Sequence, residues 1–144
     1  MRAWITTGLL LLLTACDGRE PSTTTSTTGG WSEPTGRYEY SLQSACGERL
    51  VHGWVRLTVD RGEVINAVGL DEAGRATVAA AKVENLPTLK ALLAEYEQAM
   101  RGGADKATVQ FDPEDGHPTR IDIDAQRNAI DDEVCYFISD YRVG

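Results

Sequence analysis

Tyr38-Glu39-Tyr40-Ser41-Leu42-Gln43-Ser44-Ala45-Cys46 is the stretch from which the fold can be read. Tyr38, Tyr40, Leu42, Ser44 and Cys46 occupy alternate positions, with Glu39, Ser41 and Gln43 between them. That period of two belongs to a strand with one buried face, and it places Cys46 on the core side. The run that follows keeps the period: Val51, Gly53, Val55, Leu57 and Val59 alternate with His52, Trp54, Arg56 and Thr58. Asp60-Arg61-Gly62 then turns the chain into Glu63 to Leu70, so the first three segments read as an antiparallel meander.

Further along, the period changes. Pro87-Thr88 opens a helix in which Leu89, Leu92, Leu93, Tyr96 and Met100 recur at helical spacing, while Lys90, Glu95, Glu97, Gln98 and Arg101 take the other face. Gly102-Gly103 stops it. The apolar stripe is what a helix covering one side of a sheet requires, so it is read as core. Residues 72–86, rich in alanine, fit a loop, a short helix or a strand extension, and periodicity does not choose among them.

After the helix, Ala107 to Asp112 and Pro118 to Asp124 flank the turn Pro113-Glu114-Asp115-Gly116-His117, with Thr119, Ile121 and Ile123 alternating against Arg120, Asp122 and Asp124. The last strand, Val134 to Tyr141, puts Cys135, Phe137, Ser139 and Tyr141 on one side. The expected fold class is α+β: an antiparallel sheet of about six strands, ordered three strands, one helix, three strands, with the helix packed on one face. One domain is expected over 37–144, because a segment of that length supports one modest core.

The N-terminal residues have another character. Met1-Arg2 precedes an apolar run from Ala3 to Ala15, which includes Leu9 to Leu13 and no acid. A membrane span needs about twenty apolar residues, and this run ends sooner, at Cys16-Asp17-Gly18-Arg19-Glu20. Residues 1–15 therefore read as a cleaved export signal. Leu13-Thr14-Ala15-Cys16 resembles the lipobox of bacterial lipoproteins, and that resemblance implies lipid on Cys16. Small residues before the cut let a peptidase approach the backbone, and the thiolate accepts the diacylglycerol. The alternative is an ordinary secretory signal with a chance cysteine. Residues 16–36, with the run Ser22 to Thr28 composed only of Ser and Thr, have almost nothing to bury and read as a flexible tether, bare or O-glycosylated. Trp31 is the exception within it.

With Cys16 carrying lipid, Cys46 and Cys135 remain as a pair in a compartment where disulfides persist, and a bond between them is predicted. Closing a loop of about 90 residues contributes on the order of 4–5 kcal/mol in the chain-entropy model. A zinc site is a weak alternative, because His52 and His117 carry no ligand spacing relative to either cysteine.

Four segments together carry a resemblance to a family: Tyr38-x-Tyr40-x-Leu42; Gly62-x-Val64; Phe111-Asp112-Pro113-x-x-Gly116-x-Pro118-x-x-Ile121-x-Ile123-Asp124; and Ala129-Ile130-Asp131-Asp132-Glu133. They resemble the uncharacterised bacterial lipoproteins grouped as domain-of-unknown-function family 6174, over most of Arg37 to Tyr141. Phe111 stands where the family more often has Tyr, and a second cysteine near Cys46, found in some relatives, is missing. The resemblance implies a fold and an address, the extracytoplasmic face of a bacterial envelope membrane, and carries no catalytic residue with it.

Charge narrows the function. Removing Arg2 with the leader leaves 13 basic groups against 22 acidic ones, a formal charge of −9. Nucleic acid, which calls for a basic face, is not an expected partner. Asp112, Glu114, Asp124, Asp131, Asp132 and Glu133 form the candidate set for a hard cation such as calcium, which takes six to eight oxygens. Their spacing is not that of an EF-hand loop. Asp112 and Asp115-Gly116 also serve turns, and Asp124 and Asn128 also serve caps, so a solvated acidic rim competes with a metal site. No G-x-S-x-G, phosphate-cradling glycine loop or H-E-x-x-H is present. The expectation is a non-enzymatic, monomeric envelope lipoprotein without a cofactor. The lipid holds it on a membrane, and an envelope protein or cell-wall component is its partner. A calcium-binding module and a hydrolase of envelope substrates are the alternatives.

Overall fold

A computed structural model describes residues 30–127, 129 and 132–144 of the chain. Cys16, the leader, Asn128 and Asp131 lie outside the described residues. Six strands, β1 (Arg37–Cys46), β2 (Val55–Asp60), β3 (Glu63–Gly69), β4 (Lys106–Phe111), β5 (Pro118–Asp124) and β6 (Glu133–Val143), form one open sheet in the order β3-β2-β1-β6-β5-β4. Each neighbouring pair is antiparallel. The first and last strands are thus partners at the centre, and the two hairpin systems hang on either side of them.

The α+β class is as expected, but the arrangement is not three, one, three. Two α-helices lie between the halves of the sheet, α1 (Glu72–Ala80) and α2 (Leu89–Gly102), with a single 3₁₀ turn at Val83–Asn85 between them. The ambiguous stretch 72–86 is therefore helical. Its apolar pattern is faint because α1 buries only Gly74 and Thr77. Helix α2 begins at Thr88, whose hydroxyl accepts from the Ala91 N–H, and ends at Gly103, whose left-handed backbone (φ 76°) closes the last turn. Leu89 and Leu92 are buried, while Met100, read from the spacing as core, is exposed, and Ala99 packs towards the core in its place.

One face of the sheet carries the core. Tyr38, Tyr40 and Leu42 of β1 meet Val55, Leu57 and Val59 of β2, Ile121 and Ile123 of β5, and Val134, Tyr136 and Ile138 of β6, roofed by Leu86, Leu89 and Leu92. The alternation read from Tyr38 to Leu42 holds. The second run begins later than its pattern, since residues 51–54 precede β2 as a loop in which Val51 alone is buried.

Two bulges move the two ends of the central pair off the simple period. Between Ser44 and Cys46 the register slips by one, so that Ser44 faces Tyr136 while Cys46 faces Cys135. Cys46 consequently leaves the core face expected for it and joins Cys135 on the outer face. The second bulge lies at Asp140, a non-glycine residue at φ 52°, where Glu39 pairs with Arg142 and Ser41 with Ser139. Tyr141 is thereby separated from Cys135, Phe137 and Ser139. Its ring joins the core side, stacked on His117 at 4.4 Å and tilted against Tyr38 at 5.9 Å.

Trp31, placed by composition in the tether, packs on the domain. Its indole N–H donates to the Tyr141 hydroxyl at 3.2 Å, and its ring meets Tyr38 and Tyr141 edge-on. Glu33 accepts from the Tyr38 hydroxyl at 2.9 Å. Burial first, then the Glu33 bond, pushes the Tyr38 phenol well above its ordinary range. The packed unit thus extends upstream of residue 37.

Cys46 and Cys135 are bonded, with Cα atoms 5.1 Å apart. The bond joins the far ends of β1 and β6. Replacing both cysteines with serine is expected to lower stability by about 2–5 kcal/mol, read from urea denaturation of the oxidised parent and the double variant. Coincident curves would show that the bond adds nothing to the central pair.

Candidate functional site

The chain enters the fold at Trp31 and Glu33, beside the β2–β3 turn, the β4–β5 turn and the C-terminus. Gly62 and Gly116 both lie against this segment, and the Gly144 N–H donates to the Arg37 carbonyl. The opposite end of the sheet is one length of β1 away, about 30 Å at 3.3 Å per residue. There the loop 47–54 meets α1. Asp71 caps the helix by accepting from the Gly74 N–H at 2.6 Å, and its other oxygen accepts from the Trp54 N–H at 3.0 Å. Thr77 clasps His52 twice, donating to its carbonyl at 2.8 Å and accepting from its N–H at 3.0 Å. Gly74 is required at this crossing, because a Cβ there would stand 2.1 Å from the Trp54 carbonyl oxygen.

The clasp holds an apolar groove of about 310 Å³ between loop and helix, lined by Leu50, His52, Ala73, Ala76, Ala80 and their neighbours. Leu50 stands at its lip with 52% of its surface exposed, although Val51 beside it is buried. Small side chains on α1 keep the groove open: the alanines that blurred the reading of this segment form its floor. A larger concavity, about 900 Å³, lies at the entry end between Trp31, Glu33, Arg61, Lys90 and Glu97. It is a shallow trough lined by both signs of charge, with Lys90 paired to Glu33 at 4.0 Å. The smaller groove is the better candidate for specific binding, because concave apolar surface is what a ligand site needs.

The carboxylates singled out by sequence do not converge. Strand β5, roughly 20 Å long, separates Asp112 and Glu114 at the entry end from Asp124, Asp132 and Glu133 at the far end. Asp112 sits in the turn as a turn-former, accepting from the N–H groups of Glu114 and Asp115 at 2.8 and 3.4 Å. At the far end Asp124 faces Glu133 across β5 and β6, with Lys106 on its other side. Asp132 accepts from the Gln126 N–H at 2.8 Å. Asp124 and Asp132 each bury one carboxylate oxygen without a hydrogen-bond partner among the described residues.

A different trio comes together instead: donor atoms of Asp112, Asp115 and His117 lie within 4.8 Å of one another. Asp115 and His117 were absent from the sequence set, and only their place two residues apart in a tight turn signals them. His117 is buried against Tyr141, and its ring nitrogen Nδ1 contacts Asp115. Burial pushes the Asp115 carboxyl up, but hydrogen bonds from the His117 side chain and backbone outweigh it and leave the pKa below the ordinary value.

The model of a family of unknown function, DUF6174, matches residues 28–143. The chain belongs to this family. No curated protein and no solved structure matches it. The DUF6174 match begins upstream of Trp31, in accord with the packing of that residue on the domain, and takes in both concavities. Among the described residues, no helix is long and apolar enough to cross a membrane.

The Asp71 clasp is open to a pH test. Backbone N–H groups of Gly74 and Trp54 hold its carboxyl below the ordinary value. A folded pKa lower than the unfolded one stabilises above the unfolded value, about 3.9, and that contribution is lost as pH falls through the folded value. Asp71→Asn is expected to lower the urea midpoint at pH 7 and to converge on the parent near pH 2. A difference that stays constant across this range would show that the charge of Asp71 is not what holds the clasp.

Proposed function

We propose that the protein is a bacterial envelope lipoprotein, anchored by lipid on Cys16, whose domain binds another envelope protein without catalysis. The observation that carries the binding reading is the apolar groove with Leu50 at its lip, since exposed contiguous apolar surface marks partner sites. Its position supports the reading. The groove lies at the end of the sheet away from Trp31, so a tether running to a membrane leaves it facing outward. The occupant is an apolar side chain or helix face of a partner protein, because the lining offers methyl groups and few free polar atoms. Asp112 and Asp115, which do lie close together, accept hydrogen bonds from the N–H groups of their own turn and from His117, and that structural use supports the non-enzymatic reading.

Two measurements test the two halves. Fatty-acid labelling is expected on the parent chain and to vanish with Cys16→Ser; labelling that survives, or none in the parent, ends the anchor. A photo-crosslinking residue at position 50 is expected to capture one reproducible protein on intact cells, and Ala76→Asp, which puts charge in the groove, to abolish the capture. An unchanged capture would end the groove as the site.

The second reading, a calcium-binding module, is favoured by the buried unpartnered oxygens of Asp124 and Asp132. On that reading millimolar calcium raises the melting temperature. An unshifted melt dismisses it.

A further inference from the structure

An open sheet has two edges, and among the described residues only one of these is broken by a bulge. Strand β3 is interrupted by a bulge between its pairings with Thr58 and Val59, and α1 and the 3₁₀ turn pack against it. Strand β4 also packs on a helix, α2, but it carries no bulge. Its partner β5 carries the extra residue at the one irregularity in their pairing, where Gln110 faces Arg120 and Phe111 faces Pro118, so β4 itself runs evenly. It has no proline and only Lys106 for charge, and among the described elements its main packing is on β5 and α2. An even, nearly uncharged edge with a row of free N–H and C=O groups is a template for another strand.

We propose that β4 pairs antiparallel with β4 of a second copy, making a two-fold dimer with one continuous sheet. The residues of β4 are themselves self-complementary. Lys106, Thr108 and Gln110 are exposed, while Ala107, Val109 and Phe111 are half-buried, the first two packed against the core. Residues opposed across an antiparallel pair share a face, so only registers that match exposed with exposed are allowed. Centring the two-fold axis on Val109 satisfies this for Thr108 and Gln110, and it brings Lys106 opposite Asp112, a half-buried residue just past the end of β4. Lys106 then opposes Asp112 of the second copy, Thr108 opposes Gln110, and small Ala107 opposes large Phe111. Two opposite-charge pairs and two small-to-large apolar pairs form per dimer, and no like charges face each other. Centring on Thr108 instead sets Lys106 against Gln110, so that no opposite charges meet, and places the Phe111 ring opposite Asp105. The charge pairing matters in a chain of net charge −8, where unspecific association is repelled.

The experiment uses the full chain in mild detergent, as Thr108→Cys and Gln110→Cys variants, oxidised and run on non-reducing gels beside the unsubstituted chain. Both positions are exposed, and thermal melts confirm folding before oxidation. An equimolar mixture is expected to give at least tenfold more crosslinked dimer than either variant alone, and Lys106→Glu added to both is expected to abolish the excess. A mixture no better than the unsubstituted chain overturns the proposal, as does Thr108→Cys crosslinking alone as well as the mixture. Independently of any variant, sedimentation of the unsubstituted chain is expected to show a dimer at hundreds of micromolar, and a monomer throughout that range overturns the proposal.

Discussion

The pairing of β1 with β6 holds the molecule together. These strands come from the two ends of the domain, and their core faces supply Tyr38, Tyr40, Leu42, Val134, Tyr136 and Ile138, which are nearly or wholly buried. Without that pairing the sheet falls into two three-stranded halves, β3-β2-β1 and β6-β5-β4, and the single core that spans them under the helices is divided. The clamps at the two ends of the pair differ. A covalent bond holds the far end, and at the entry end Trp31 and Tyr141 pack together, with Arg142 donating to Glu39 at 2.9 Å. That ion pair and the hydroxyl of Thr58 hold the Glu39 carboxyl below its ordinary value.

The outer face of the sheet is polar but not idle. Ser41 is buried there although it faces away from the core, and it donates to Asp140 at 2.8 Å across the bulge. Arg120 donates twice to Asp122, at 2.7 and 2.9 Å, and its guanidinium lies 4.7 Å over the ring of Phe137. These pairs cover apolar surface with charged heads kept in water.

Strand identity was legible because each strand buries one face and so writes a period of two into the sequence. The bulges were not. Each inserts one residue that breaks the period, and Ala45 and Asp140 carry no side-chain signal that distinguishes them from ordinary strand residues. Both errors of facing, at Cys46 and at Tyr141, follow from reading straight through them. Helix α1 escaped for a different reason: polar clasps by Asp71 and Thr77 dock it in place of an apolar stripe, and such clasps depend on partners 17 and 25 residues away. Of the candidate site residues, the cysteine pair was legible from number and from the compartment that the leader led one to expect. The carboxylates were visible as types, but whether they converge is decided by which end of β5 each one occupies.

The central position of the terminal strands also sets an order of events during synthesis. A nascent chain released as far as β5 owns two half-sheets and nothing to join them, because the joining strand is the last to be made. Most native contacts of β1 with β6 span nearly the whole domain, the kind of topology that folds slowly for its size. The two halves therefore become one sheet only when β6 is laid between β1 and β5, and the core they share is closed in that step.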